Sequence, residues 1–273
     1  MVTDISVGLT KEVCMDDKPL RQGITSADYH IPNNIPLLGF YRFVKKIQPT
    51  YFQLLGDFID ADAFFGWGKR TSIDVSTKEV LDALDQQEIE FEAANIILDE
   101  FDKRLPEGCD KIFHTGNHEV RLIQLGVKAP PLKKQLDFVE RLRLKERGYK
   151  IISYNSHYAV GYARYVHGLY CLDGHAKKHV QTYMRPIRYG HLHTSQKYTM
   201  VSALDGRVFD GECIGCMCNE NPEYKKGMPT AWRHGFCYDV VEPTGQFFSH
   251  FIPINNGKFY FGVDGNGRPV EYS

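Results

Sequence analysis

Five short clusters in this 273-residue chain combine carboxylate, amide and imidazole side chains: Asp28-Tyr29-His30, Gly56-Asp57, Gly116-Asn117-His118-Glu119, His167-Gly168 and Gly190-His191-Leu192-His193. Those donor types suit divalent ions such as Mn²⁺, Fe, Zn²⁺, Ni²⁺ or Mg²⁺, and none of them is a thiolate. Taken singly, each has a plain structural reading. Asp28 and His30 could sit on a turn, Gly56-Asp57 could cap a helix, and paired histidines often bond backbone in a core. Read as strands, Asp28/His30 and His191/His193 would each place two donors on one side, because residues two apart share a face. Each cluster also follows an apolar run that reads as a strand, and open α/β sheets build sites at the carboxyl ends of their strands.

In order along the chain, D-x-H, GD, GNHE, HG and GHLH resemble the calcineurin-like metallophosphoesterase superfamily, over roughly the first three-quarters of the sequence. The region from His167 to His193 and the Ile214-Gly215-Cys216 stretch also resemble phosphoesterases carried by bacteriophages and prophages. The superfamily resemblance implies a four-layer αββα sandwich of two mixed β-sheets flanked by helices. It implies two metal ions, Mn²⁺ foremost, with Asp28, His30 and His193 on the first, Asn117, His167 and His191 on the second, and Asp57 bridging. It implies hydrolysis of phosphate mono- or diesters by a metal-bridging hydroxide, with His118 protonating the leaving oxygen as general acid. The alternative is a non-catalytic phosphate- or nucleic-acid-binding scaffold on the same fold. Arg121, His175 and Lys178 are candidate substrate contacts. Asp173, Lys177 and His179 belong with them or form a solvated helix face.

The elements that must position these residues can be sketched from periodicity. Strands are expected at 23–27, 50–55, 111–115, 150–153, 158–166 and 187–189. Helices are expected at 35–47, 76–105, 132–147 and 174–184. Ser76 with Glu79 fits a capping box opening the longest helix. The helix at 132–147 carries Lys133, Lys134, Arg141, Arg143, Lys145 and Arg147, either a solvated face or a contact for DNA or RNA backbone. Phe64, Phe65 and Trp67 with Lys69 and Arg70 form a loop able to stack on a base or to pack in the core. From Met200 onward β-branched and aromatic runs alternate with turns. The chain is expected to be one domain, 1–273, with a helical insertion at 58–110 over the site and a mostly β part at 200–273.

Composition narrows the classes. Apolar residues are 42% and charged residues 25%, the mix of a folded soluble domain. No run of about 18 apolar residues exists, so no membrane span is expected. The N-terminal stretch lacks the basic-then-apolar order of a secretory signal. Net charge is −1, which leaves nucleic-acid binding to a local patch. Seven cysteines in a chain this long favour a reducing, cytoplasmic setting. Cys213-x-x-Cys216-x-Cys218 is half of a zinc pattern. With no second close pair, Cys237 being isolated, buried apolar thiols are the leading reading.

Overall fold

The computed structural model describes residues 19–64, 73–219, 228 and 230–273. Two mixed β-sheets form the centre. The first has six strands in the order β11 (Phe247–Pro253), β10 (Gly235–Val241), β1 (Arg21–Ser26), β2 (Tyr51–Leu54), β3 (Asp110–His114) and β4 (Tyr149–Ile152). Strands β1 to β4 run parallel, and β10 and β11 are antiparallel additions. The second sheet has the order β5 (Tyr158–Val160), β6 (Ala163–Val166), β7 (Ile187–Tyr189), β9 (Val208–Ile214) and β8 (Ser195–Val201). Its central strands β6, β7 and β9 are parallel. A small hairpin, β12 (Phe259–Val263) and β13 (Pro269–Tyr272), lies beside the first sheet.

Three apolar clusters separate four layers. On the outer face of the first sheet, Phe52, Phe113 and Phe236 pack with α1 (Leu38–Ile47) and α2 (Lys78–Asp102) through Phe40, Phe43, Phe91, Leu98 and Phe101. Helix α3 (Asn117–Lys128) and α4 (Phe138–Arg141) complete that layer through Leu122, Leu125 and Phe138. Between the sheets lie Tyr51, Leu55, Ile112, Tyr165, Ile214 and Val241. Beyond the second sheet, α5 (His175–Tyr183) buries Ala176 and Val180 against Val166, Ile187 and Phe209. The chain is therefore a four-layer αββα sandwich. Helix α2 is the crossover between the parallel strands β2 and β3, and its stripe of Val80, Ala83, Phe91, Ala94 and Leu98 is buried in the main core.

Several local expectations change. Ser76 does not cap α2: its N–H and hydroxyl both donate to Asp74, while Thr77 Oγ1 accepts from Val80 N. The 132–147 helix is broken. Asp137 accepts the N–H groups of Val139 and Glu140 and so opens the one-turn α4, and Arg143 is left-handed with φ 51°. Its arginines turn to the acidic face of α2, with Arg141 on Glu88 and Arg147 on Asp99 and Asp102. The 158–166 strand is two strands of a hairpin, turned at Gly161, whose φ of 56° costs a glycine little.

Candidate metal centre

Strands β1, β2 and β3 are parallel in the first sheet and β6 and β7 in the second, and the carboxyl end of each leads into one of the sequence clusters. β1 leads to Asp28 and His30, β2 to Asp57, β3 to Asn117 and His118, β6 to His167, and β7 to His191 and His193. The expected strand alternation is not what aligns them. Asp28, His30, Asp57, His191 and His193 all lie beyond their strands in left-handed backbone, with φ between 48° and 73°. Asp and His tolerate this region better than most residues, yet each such position costs on the order of 1–3 kcal/mol. Five strained residues at one spot persist because surrounding contacts fix them.

Those contacts are visible. Glu119, fully buried at the third position of α3, accepts four backbone N–H groups. Gly116 (2.8 Å) and Asp57 (3.1 Å) donate to Oε2, and Phe58 (2.8 Å) and Ile59 (3.3 Å) donate to Oε1. One carboxylate thus ties the Asp57 turn to the start of α3. Gly116 has to be glycine there, since a Cβ would lie 2.2 Å from Asp57 Oδ1. On the other side, Asp28 Oδ2 accepts from the backbone of His191 at 2.7 Å, which joins the β1 and β7 loops.

The donor atoms converge in three groups, each within 4.8 Å: Asp28/His30/His193, Asp57/His167/His191 and His30/Asp57/His118. Asp57 Oδ1 accepts from the His118 backbone at 2.9 Å, and its Oδ2 faces His167 Nε2 (3.3 Å), His118 Nε2 (3.8 Å) and His30 Nε2 (3.9 Å). It is shared by both sides of the site. Asn117 Oδ1 lies 2.9 Å from His167 Nε2. His167 Nδ1 donates to the Leu55 carbonyl at 2.7 Å, and His30 Nδ1 pairs with Asp60 Oδ1 at 2.9 Å. Such bonds fix the tautomer and leave Nε2 as the lone-pair donor.

The arrangement fits cations. Asp28 Oδ1 and His191 Nδ1 are buried with no hydrogen-bond partner, a costly state for polar atoms that a metal ion relieves. His30 Nε2 and His193 Nε2 stand 3.1 Å apart. Two nitrogens at right angles on an ion with bonds of about 2.1 Å would stand about 3 Å apart. Burial, and the neighbouring Asp57 charge, push Asp28 up. Burial also pushes His191 down to about 4. Against burial, the Asp57 carboxylate holds His167 raised to about 9, and Asp57 with Asp60 does the same for His118.

His118 stands apart from the other imidazoles in its contacts. Its Nδ1 is bonded to the Asp60 carbonyl, and both terminal nitrogens of Arg121 lie 3.1 Å from its ring nitrogens. Arg121 also reaches Asp62 at 3.7 Å. His175 and Lys178 are not brought into the cluster. His175 is buried, with Nδ1 2.6 Å from the Tyr189 hydroxyl, and Lys178 lies over the Tyr170 ring. His179 is core as well, stacked on Tyr189 and accepting from Leu169 N. His175 does line an open cavity of about 660 Å³ with Cys171, Leu192, Thr194, Trp232 and Arg233, flanking His191 and His193. A cavity of about 680 Å³ at Arg185, Arg207 and Phe247 touches none of the cluster residues.

The sequence pattern missed Asp60 and undervalued Glu119. Asp60 orients both His30 and His118, and its only signal was a carboxylate three residues after Asp57. Of the aromatic loop, Phe64 is buried in the core, and Phe65, Trp67, Lys69 and Arg70 lie outside the described residues.

No protein-family model matches the sequence, and no curated protein matches it. Among solved structures, Vps29 from Entamoeba histolytica, complexed with zinc, is 11% identical over 86% of this chain and 99% of its own, with a TM-score of 0.38. Vps29 from Chaetomium thermophilum is 10% identical over 93% and 98%, with a TM-score of 0.36. A predicted phosphoesterase from Streptococcus pneumoniae TIGR4 is 9% identical over 87% and 99%, with a TM-score of 0.28. Likenesses this distant show no more than a shared fold.

Proposed function

We propose that this protein is a calcineurin-like metallophosphoesterase: a hydrolase of phosphate mono- or diesters that works with two divalent ions, Mn²⁺ foremost. The observation that carries the proposal is the Asp57 carboxylate, set between the Asp28/His30/His193 and Asp57/His167/His191 donor groups. Asp28, His30 and His193 would hold one ion, Asn117, His167 and His191 the other, and Asp57 both. When bound, such a pair of ions supplies positive charge that activates water and neutralises phosphate oxygens.

The chain's own residues do the rest. Asp60 holds His30 and His118 in place from one side, and Glu119 holds the Asp57 turn from the other. With its Nδ1 anchored on the Asp60 carbonyl, His118 would protonate the leaving oxygen from Nε2 as the general acid once Arg121, whose terminal nitrogen faces Nε2 at 3.1 Å, turns to the phosphate. Arg121, beside His118, would bind a non-bridging phosphate oxygen. The groove lined by His175, Trp232 and Arg233 would receive the part of the substrate beyond the phosphate. Because Arg141 and Arg147 are paired with α2, the segment expected to be a basic helix offers mainly the exposed Lys133, Lys134 and Lys145 to a nucleic-acid backbone.

The test is a turnover screen of the apo and Mn²⁺-loaded chain across bis-p-nitrophenyl phosphate, p-nitrophenyl phosphate, cyclic nucleotides and end-labelled DNA and RNA. Metal-dependent turnover of at least one class is expected. Two bound ions with no turnover of any substrate would favour the non-catalytic scaffold.

A further inference from the structure

His193 has two faces. Its Nε2 points to His30 and Asp28, at 3.1 Å and 3.8 Å. Its Nδ1 lies 3.6 Å from Cys218 Sγ, and Cys216 completes a second donor set with them, all three atoms within 4.8 Å and all three residues buried. Histidine ligands usually donate their second nitrogen to a carboxylate or a carbonyl. Here that nitrogen meets a pair of thiols.

We propose that Cys216, Cys218 and His193 Nδ1 form a second site for a thiophilic d¹⁰ ion such as Zn²⁺ or Cu⁺, the two thiol protons and the Nδ1 proton passing to solvent on binding, so that His193 becomes an imidazolate shared with the Asp28/His30 group. The spacing of the Cys218 and His193 donors fits such an ion. With bonds of about 2.3 Å to sulfur and about 2.05 Å to nitrogen, a tetrahedral ion spaces an S and an N ligand by about 3.5 Å. The observed spacing is 3.6 Å. Two thiolates with one imidazole make a softer donor set than the carboxylates, amide and imidazoles on the Asp57 side, so a thiophilic ion favours the cysteine site.

The site is held rigidly by backbone. Arg233 N donates to the His193 carbonyl at 2.6 Å, and the Arg233 carbonyl accepts from Cys216 N at 2.9 Å, so one residue clamps both loops. Met217 N donates to the Ala27 carbonyl, and Asn34 bridges to Cys218, which fixes the far side. Gly215 allows the turn, with φ 71° and its Cα so close to the Arg233 carbonyl that a Cβ would lie 2.1 Å from that oxygen. The six described cysteines are all free, so both thiols are available to an ion. The buried-thiol reading of the C-x-x-C-x-C stretch holds for Cys213, whose sulfur faces the Gly190 carbonyl, but leaves out the partner that His193 supplies to the other two.

The experiment titrates Cd²⁺ into the reduced, Mn²⁺-saturated full chain and reads thiolate-to-metal charge-transfer absorption and bound metal. One tight Cd²⁺ equivalent with that band is expected. It should be lost in the Cys216→Ser/Cys218→Ser double variant and kept in Cys109→Ser/Cys171→Ser. A band that survives the first double variant, or disappears in the second, would overturn the site. So would a reduced wild-type chain that takes up no Cd²⁺. If the serine variants do not fold, X-ray absorption on Cd²⁺-loaded wild type decides: two sulfur neighbours support the site, and none overturns it. Mn²⁺ stoichiometry of the thiol variants, measured separately, tests the dinuclear reading, since those variants keep every ligand assigned to it.

Discussion

Replacing Glu119 with glutamine should damage the site although Glu119 touches no reacting atom. Each of its oxygens accepts two backbone N–H groups from the turn that carries Asp57 and from the start of α3. A glutamine keeps one oxygen and turns an NH₂ toward the other two donors. Two buried N–H groups then lose their acceptor, at about 1–3 kcal/mol each, for a total of about 2–6 kcal/mol. Because these donors lie on the loop that bears Asp57, the loss falls on metal affinity as well as on global stability. Denaturant unfolding of the metal-free protein gives the stability change, and calorimetric Mn²⁺ titration gives the change in affinity. A loss of stability under about 0.5 kcal/mol, together with unchanged Mn²⁺ binding, would refute the claim that this carboxylate holds the Asp57 turn.

Asp57→Ala should lose binding of both ions and drop turnover to background; metal analysis after gel filtration would show near-normal stoichiometry if Asp57 is not shared. His118→Asn should keep both ions and lose roughly 10²-fold or more on an alkyl phosphoester but far less on p-nitrophenyl phosphate, whose leaving group needs no proton; equal losses on both would give His118 a positioning role. Glu90 is buried against Ala61 N and raised to about 7, chiefly by burial. A raised carboxyl favours the folded state fully below its unfolded value near 4.5, and that stability is lost as pH rises to about 7. Glu90→Gln should therefore unfold at higher denaturant than wild type at pH 8, by on the order of 3 kcal/mol, with little difference near pH 4.5; a pH-independent difference would contradict this.

Much of the site was legible because it is local. Each cluster directly follows a strand that apolar runs betray, and imidazoles beside Gly-Asn or Gly-Asp have few structural roles. What periodicity could not show is backbone handedness. Asp28 and His30 align through two left-handed residues, not through strand alternation. Nor could it show long-range partners. The arginines of the 132–147 segment read as a solvated face or a nucleic-acid contact, whereas α2 supplies Glu88, Asp99 and Asp102, 45 to 53 residues away. The leucines there read as one helix, but Asp137 and Arg143 break it into turns that bury Leu132, Leu136, Leu142 and Leu144 anyway. His193 and Cys218 meet through long-range pairing: Gly215 N donates to the Thr194 carbonyl beside the β8–β9 ladder, and Arg233, from a third loop, bonds both segments.

The dinuclear centre around Asp57 is tested most directly by anomalous diffraction from crystals of the Mn²⁺-loaded chain. The account predicts two manganese peaks about 3.5–4 Å apart, both in contact with Asp57, one with Asp28, His30 and His193 and the other with Asn117, His167 and His191. A single peak, or two peaks that do not share Asp57, would contradict it.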